Sequence, residues 1–294
     1  MARFGIQQIR LNNTLYPGVK GSQFDRGLEV NSDGSDGTVY ETTHHVPRRK
    51  PAAEIGTLSL KTLITALNGS TDFPMLALDG TNGLEMFGAR QAANAVGYQA
   101  GSVHSLRKGA RGVLWLGGVR WSLGSPAEAI LRAMFISADG TTEAISEIAI
   151  AALPTAPTPD FGFTLSALTV AGTSIPTVNA FEISIDPRFD WDHAAGLPEP
   201  TSIVGAGANG KLAITAKVDT GDIDLGSGTG ATSAVFRRYA IGGGFGTDTV
   251  TFTFNSVFSH EEQVGGQNGQ PMSRALMIRT RHDGTNRPLT WATA

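Results

Sequence analysis

The sequence contains no cysteine, which excludes disulfides and thiolate metal sites. Aromatic residues make up 7% and charged residues 17% of the chain, and 26 acidic side chains outnumber 23 basic ones. Because binding to DNA phosphates needs an excess of Lys and Arg, the net charge of −3 argues against tight DNA binding. No apolar run approaches the roughly 20 residues that cross a bilayer. The first residues, Met1–Gly5, lack a basic and apolar signal segment, so we expect neither membrane insertion nor export.

Glycine, in contrast, is abundant, with 37 residues in a chain of 294. With moderate hydrophobicity, this composition is typical of a turn-rich globular β protein and not of a disordered chain. The length allows one large core or two of ordinary size.

A segment near the start of the chain recurs in its second half. Ile9–Val19 and Leu168–Val178 share two apolar residues two apart, a Thr, and an apolar residue before Pro. Asp-Gly turns also follow an apolar strand in each half, at Asp139 and Asp283. We therefore predict one β unit present twice.

The two copies differ in length. The span from Thr14 to Asp139 in the first copy is longer than the corresponding span from Thr173 to Asp283 in the second. Insertions in loops of the first copy would absorb this difference.

Most of the chain is predicted to form strands. Alternating apolar residues predict strands at 6–11, 28–30, 38–43, 75–78, 84–87, 101–106, 112–123, 165–170, 180–185, 212–218, 235–241 and 249–258. The 31–37 stretch is predicted as a hairpin tip within a long loop, 31–50. In the strand at 112–123, the alternation places Val113, Trp115, Val119, Trp121 and Leu123 on one side.

One helix is predicted near 59–68, where Leu60, Leu63, Ile64 and Leu67 share a face and Asn68-Gly69 ends the helix. We expect it to lie against the sheet of the first domain. The segment 127–134 has a capping box typical of a helix, but its counterpart at 272–280 alternates like a strand. We therefore predict that both copies are strands.

The Pro-rich segment 154–160 is the predicted linker, because proline at alternate positions prevents both helix and central strand pairing. It would separate a first β domain, residues 1–153, from a second, residues 161–294.

Several motifs invite chemical interpretations, and each has a simpler one. Ile203–Gly210 fits a dinucleotide-binding glycine fingerprint, but the following 211–218 alternates like a strand where that site needs a helix. Gly243–Thr251 matches one turn of a calcium-binding nonapeptide, which requires several tandem copies. Three nearby aspartates could bind calcium, although a solvated loop is the simpler interpretation: Asp219, Asp222 and Asp224.

The remaining polar groups also lack the spacing of a catalytic site. Asp190–His193 and His44-His45 have no helical metal-ligand spacing, and no Gly-x-Ser-x-Gly elbow is present. The basic run Arg48–Lys50 is expected to form a solvated arm or a contact with a neighbouring chain. We predict no catalytic, cofactor-binding or metal-binding residues and no enzyme activity.

The repeated unit resembles the tail tube proteins of long-tailed bacteriophages, in the type whose subunit carries two tube domains. The resemblance covers nearly the whole chain. It is carried by Leu168–Asp186, with its strand, Gly turn, apolar-Pro-x-Val and second strand ending in an acidic residue. Gly101–Ser105, Asp79–Glu85 and His282–Thr290 add to it.

This resemblance implies a structural virion protein with two tandem tube-like β-sandwich or barrel domains. Its subunits would form stacked rings of three or six chains, assembled in the host cytoplasm, with an inner β-barrel made by neighbouring sheets. The lumen would pass genomic DNA and the tape-measure protein, and the ends would meet the tail terminator and distal tail proteins. A mildly acidic wall would let DNA slide. Loops such as 31–50 and 187–210 would reach the next ring or cover the outside.

Two other classes share this composition. A carbohydrate-binding or adhesive β-sandwich would present aromatic residues on one exposed platform, with Trp191, Tyr239 and Trp291 as candidates. A polysaccharide-degrading enzyme would place two carboxylates at working separation in a cleft. The sequence leaves open the number of chains per ring, the presence of a contractile sheath, the host and a role as a specialised end ring.

Overall fold

A computed structural model shows a mainly β chain with several antiparallel sheets, which confirms the predicted class. It describes residues 4–16, 18–29, 32–33, 42–43, 48–67, 73–90, 103–155, 162–205, 211–218, 231–239, 243–255, 257–265, 273–280, 285 and 287–294. One helix and no closed sheet occur within these ranges. The linker prediction falls mostly outside them.

The first half of the chain holds β1 (Phe4–Leu11), β2 (Thr14–Tyr16), β3 (Val19–Asp25), β4 (Leu28–Glu29), β5 (Ser32–Asp33), β6 (Thr42–Thr43), β7 (Arg48–Arg49), β8 (Ala52–Thr57), α1 (Leu60–Ala66), β9 (Met75–Arg90), β10 (Val103–Ser122), β11 (Glu128–Phe135) and β12 (Ile145–Ile150). The second half holds β13 (Phe163–Val170), β14 (Thr173–Ile175), β15 (Val178–Asp186), β16 (Phe189–Asp192), β17 (Ser202–Gly205), β18 (Lys211–Val218), β19 (Thr232–Tyr239), β20 (Phe245–Phe254), β21 (Val257–Gly265), β22 (Ser273–Thr280) and β23 (Leu289–Thr293). The prediction of a strand at 127–134 is confirmed by β11.

The first hairpin of each half has the same register. Ile9 pairs with Tyr16 in β1–β2, and Leu168 pairs with Ile175 in β13–β14, so the two pairs match position for position. Each turn places two residues in the left-handed region, as two-residue hairpins require: Asn12, Asn13, Ala171 and Gly172.

The repetition extends to seven strand pairings. The pairings β1·β2, β1·β9, β9·β10, β10·β12, β3·β8, β8·β11 and β10·β11 correspond in order to β13·β14, β13·β19, β19·β20, β20·β23, β15·β18, β18·β22 and β21·β22. Bulges recur as well: β1 shifts register between Ile6 and Gln8, and β13 does so at the matching place, between Leu165 and Ala167. We call residues 4–150 the first repeat and residues 163–293 the second.

Each repeat contributes two groups of strands to one continuous apolar core. In the first repeat, β2, β1, β9, β10 and β12 form one group, and β3, β8, β11 and β10 form the other. The strand β10 is long enough to belong to both groups, whereas β20 and β21 divide these positions in the second repeat. The main core contains Leu114 and Leu131 from the first repeat and Phe236 and Phe252 from the second.

The prediction that five apolar residues of β10 share one side is wrong. Val113 and Trp115 lie in a second, smaller cluster, whereas Val119 and Trp121 lie in the main core and Leu123 is 71% exposed. The cause is a bulge, since β10 shifts register against β11 after position 116. One extra residue reverses which side chains face the core.

The loop at 31–50 also differs from its prediction. The pairing β5·β6 places Ser32 and Asp33 in a strand, although we predicted them at a hairpin tip. Leu28 and Glu29 pair with Arg49 and Arg48, whereas Thr43 and Thr42 of the predicted partner strand pair with Ser32 and Asp33. Strand propensity here was too weak to fix the register of so short a pairing.

Gly109 lies in the middle of β10 under a buried aromatic ring. An added Cβ would come within 2.1 Å of the ring of Phe135, which is fully buried. Because the ring has no space to move, we expect Gly109→Ala to lower the free energy of unfolding by about 1–3 kcal/mol. Denaturant unfolding would measure this. Gly246→Ala is the matched control, because its added Cβ meets nothing closer than 3.5 Å, and equal effects of the two variants would contradict the prediction.

Candidate assembly interface

One strand pairing joins the two repeats. The end of β10 pairs antiparallel with β15, from Gly118 opposite Ser184 to Ser122 opposite Ala180. We call this pairing the joint. It makes one sheet of β3, β8, β11, β10, β15, β18, β22 and β21, in that order, which we call the joining sheet.

Side chains on both faces of the joint hold the repeats together. Trp121 of β10 and Phe181 of β15 lie opposite each other and both belong to the main core. The indole Nε1 of Trp121 also donates a hydrogen bond to the Thr164 hydroxyl at 2.8 Å. On the other face, Arg120 Nε donates to Glu182 Oε1 at 3.0 Å. The joint is therefore a packed interface and not only a backbone ladder.

The helix α1 contacts the second repeat, whereas we predicted that it packs on the sheet of the first domain. The strands that it contacts most are β20 and β23, and its predicted apolar face is fully buried. Lys61 Nζ donates to Asp248 Oδ1 and to the Ala294 carbonyl, each at 2.7 Å. The Lys61 ammonium holds the pKa of Asp248 below its ordinary value. The helical pattern identified the buried face but not which of two similar sheets would cover it.

A loop of the second repeat reaches back over the first. The hairpin β16–β17 places the Phe189 ring 5.4 Å from that of Trp115, edge to face. Trp191 and Ile203 of the same hairpin also pack on the cluster that contains Trp115. This hairpin covers apolar surface on the joining sheet, on the side away from the main core.

A buried carboxylate anchors the same loop. Glu199 is only 2% exposed, and its Oε1 accepts a hydrogen bond from Arg49 Nη1 at 3.0 Å while its Oε2 accepts one from the Ala144 amide at 3.3 Å. Arg49 also donates to Glu143 at 3.0 Å. That hydrogen bond and the nearby Glu199 charge hold the pKa of Arg49 above its ordinary value, against the opposing effect of burial.

Removing the Arg49 guanidinium should lower the free energy of unfolding more than removing an exposed cation. Arg49→Ala would leave Glu199 buried with one amide partner, and we expect a loss of about 1–3 kcal/mol in the free energy of unfolding. The control is Arg26→Ala, because the partners of Arg26 among the described residues, Glu143 and Glu147, are both exposed carboxylates, and this variant should change stability by less than about 1 kcal/mol. Urea unfolding of both variants would measure the difference. A loss at Arg26 as large as that at Arg49 would contradict the expectation.

The joining sheet ends in two strands that pair on one side only among the described residues. These strands are β3, which pairs with β8, and β21, which pairs with β22. Residues 20–23 of β3 are all exposed. In the repeat, β3 corresponds to β15 and β21 corresponds to the end of β10. The two free edges are therefore the counterparts of the two strands that meet in the joint.

The face of the joining sheet that points away from the main core carries charges of both signs. Arg132 of β11 donates to Glu54 of β8 at 2.9 Å, and Arg120 pairs with Glu182 across the joint. In each pair the two residues lie directly opposite on neighbouring strands. Such cross-strand pairs hold the charged groups against the sheet.

Among the residues that the structure describes, the chemical motifs of the sequence do not come together in one site. Residues 203–205 of the glycine motif belong to β17, and 206–210 fall outside the described residues. Residues 211–218 form the strand β18, as we predicted, where a dinucleotide-binding site would need a helix. Asp190 accepts a hydrogen bond from the Trp191 amide, and Asp192 accepts one from Ser202. His193 Nε2 lies 2.9 Å from the Arg49 carbonyl oxygen.

Some of the residues considered for metal binding lie within the described part of the chain. In the described part of the chain, no group of three or more His, Asp or Glu side chains could hold a metal ion. Asp219, Asp222, Asp224, His44 and His45 fall outside that part. The aspartate of the nonapeptide motif, Asp248, is bound by Lys61 and Arg238.

The aromatic residues considered for a glycan platform lie in different clusters. Trp191 packs in the cluster around Trp115, and Trp291 packs against the main core. Tyr239 is half-exposed and stacks edge to face on Phe245 at 5.6 Å.

The comparisons with known proteins assign no family. No protein-family model matches this chain, and no curated protein matches it significantly. Separately, the described residues include no helix with the length and apolar character needed to cross a membrane.

Sequence reasoning missed the joint residues. Trp121 and Gly118 fall in one predicted strand of the first unit, with no predicted partner in the second. The length of the strand held the signal, because β10 continues past Trp115, where its pairing with β9 ends, and that edge of the strand needs another neighbour.

Proposed function

We propose that this protein is a tail tube subunit of a long-tailed bacteriophage whose chains assemble into stacked rings. The observation that carries the proposal is the joint. The chain makes this edge-to-edge pairing once within itself, between β10 and β15. The counterparts of these two strands, β21 and β3, form the two ends of the joining sheet and each pair on one side only among the residues that the structure describes. Pairing between chains would continue the sheet until it closes, which removes every exposed edge.

Within this proposal the two repeats are two tube-like domains, 1–153 and 161–294, with 154–160 as the linker. The seven matched strand pairings support this division. Rings of three such chains would contain six equivalent units, and rings of six chains would contain twelve.

The charged part of the joining-sheet face that points away from the main core, where the hairpin β16–β17 does not cover the sheet, would line the lumen. Its cross-strand pairs, such as Arg132 with Glu54, neutralise one another at the surface. With a net charge of −3 per chain, this wall would hold a polyanion weakly and let DNA and the tape-measure protein pass. The protein would act in the virion tail, between the tail terminator and the distal tail proteins, without a catalytic site or cofactor.

Electron microscopy of the purified protein tests the proposal. We expect rings or stacked tubes with an axial channel, and light scattering should give a mass that is a whole multiple of the chain. A protein that stays monomeric at high concentration and binds glycans would overturn it in favour of a carbohydrate-binding protein.

A further inference from the structure

The joint provides a template for a contact that the chain does not make within itself. Its register places Gly118, Val119 and Arg120 opposite Ser184, Ile183 and Glu182. Both strands have counterparts at the ends of the joining sheet, and the correspondence can be fixed residue by residue from the other strand pairings.

The end of β10 corresponds to β21, with Gly118 matching Gln263. Gly118 pairs with Ile130 of β11, and Gln263 pairs with Ala275 of β22. The next residues agree as well. Ala129, one residue before Ile130, pairs with Thr57 of β8. Arg274, one residue before Ala275, pairs with Val218 of β18, which is the counterpart of Thr57.

The strand β15 corresponds to β3, with Val178 matching Val19. The register of β3 against β8 shifts between Val19 and Gly21, and that of β15 against β18 shifts between Val178 and Ala180. A bulge at the same place in both strands fixes the correspondence, because a slip by one residue would move it.

We propose that β21 of one chain pairs antiparallel with β3 of a second copy, in the register of the joint. Replacing each residue of the joint by its counterpart in the other repeat gives three pairs: Gln263 with Asp25, Val264 with Phe24, and Gly265 with Gln23. This inference rests on the proposed ring assembly and names the contact that closes it.

The contact between chains differs from the joint in one chemical respect. The ion pair of Arg120 and Glu182 has Gly265 and Gln23 at the corresponding positions, so no charge is present there. Backbone hydrogen bonds and the Phe24 side chain, which packs against the main core, therefore carry more of the contact. The two edge strands, β3 and β21, differ from each other. Each chain would therefore pair through β3 with one neighbour and through β21 with the other, which is the head-to-tail contact of a closed ring.

Cysteine crosslinking tests the register directly, because the natural sequence has no cysteine. The full chain carrying Gln23→Cys and Gly265→Cys would be assembled and treated with mild oxidant, and in parallel with a short bismaleimide. Directly opposite residues have Cβ atoms about 5 Å apart, within reach of both reagents. We expect a ladder of covalent species that ends at the number of chains in one ring.

Three controls accompany this variant. Each single cysteine variant should give no ladder, because the edges are unlike. Gln23→Cys with Val264→Cys places the two thiols on opposite faces and should also give none. If Gly265→Cys does not fold, Asp25→Cys with Gln263→Cys tests the same register.

The outcomes separate this inference from the proposed function. Rings in micrographs without crosslinking at either predicted pair would overturn the register and leave the ring proposal standing. Crosslinking of Gln23→Cys alone into dimers would show β3 pairing with itself and overturn the inference. A monomer without crosslinks would overturn both.

Discussion

A chain carrying Ser22→Pro is expected to remain folded and to form rings only at higher concentration than the natural chain. Ser22 is exposed in β3, and its counterpart in the joint is Phe181. Proline removes the backbone donor, so the neighbouring chain would lose a ladder hydrogen bond and keep an unsatisfied carbonyl. We expect a cost of about 1–3 kcal/mol at each contact between chains, which weakens association roughly 5- to 150-fold.

The direction of the Ser22 amide follows from the joint. Leu123 N donates to the Asn179 carbonyl at 2.8 Å, so this pair is hydrogen-bonded. In antiparallel pairs hydrogen-bonded positions alternate, which makes Phe181 opposite Trp121 the next such pair. Its counterpart Ser22 then points its amide at the free edge, and proline there leaves the pairing with β8 intact.

Sedimentation velocity over a range of concentrations would measure the loss of assembly, with circular dichroism to check the fold. Ser22→Ala is the matched control, because it keeps the amide and should assemble like the natural chain. Rings of normal stability from Ser22→Pro would show that β3 is not the edge that neighbouring chains use.

Phe236→Ala is expected to cause the largest loss of stability of a single side chain. The Phe236 ring is fully buried between Phe181 at 5.8 Å and Phe252 at 6.0 Å, in edge-to-face contacts. Removing it leaves a cavity in the main core, and such Phe→Ala changes cost about 3–5 kcal/mol. Because Phe181 belongs to β15, the cavity would also weaken packing beneath the joint.

The matched control is Phe245→Ala. Phe245 also makes one edge-to-face contact, with Tyr239, but is 51% exposed. We expect a loss below about 1 kcal/mol, since most of its surface already meets water. Guanidinium unfolding followed by fluorescence would compare the two variants. Similar midpoints for both would mean that the core around Phe236 does not limit stability.

The sequence predicted the local elements well because their signals are local. Alternating apolar residues predicted the strands at 6–11 and 165–170, and helical spacing predicted α1. Comparing the two copies correctly favoured a strand for 127–134 over a helix with a good capping box. For the strands and the helix, the deciding residues lie within a few positions of one another.

Features that depend on distant contacts were not predicted. The bulge after Leu116 falls at Gly117-Gly118, which the alternation of apolar residues passed over, yet it reverses which β10 side chains face the core. The partner of α1 and the joint both required knowing which of two similar sheets lies where. The candidate interface follows from strand register, and the sequence alone contains no direct sign of the register between the halves.

The hydrogen bond from Lys61 to the Ala294 carbonyl spans 233 residues of sequence, which has a consequence for synthesis. A ribosome adding roughly 5–20 residues per second needs about 10–50 s to make the chain between them. Throughout that interval the apolar face of α1 lacks β20 and β23, its main cover. The nascent protein therefore exposes Leu60, Leu63 and Ile64 until β20 and β23 have been synthesised, and this is the stage at which a chaperone would bind it.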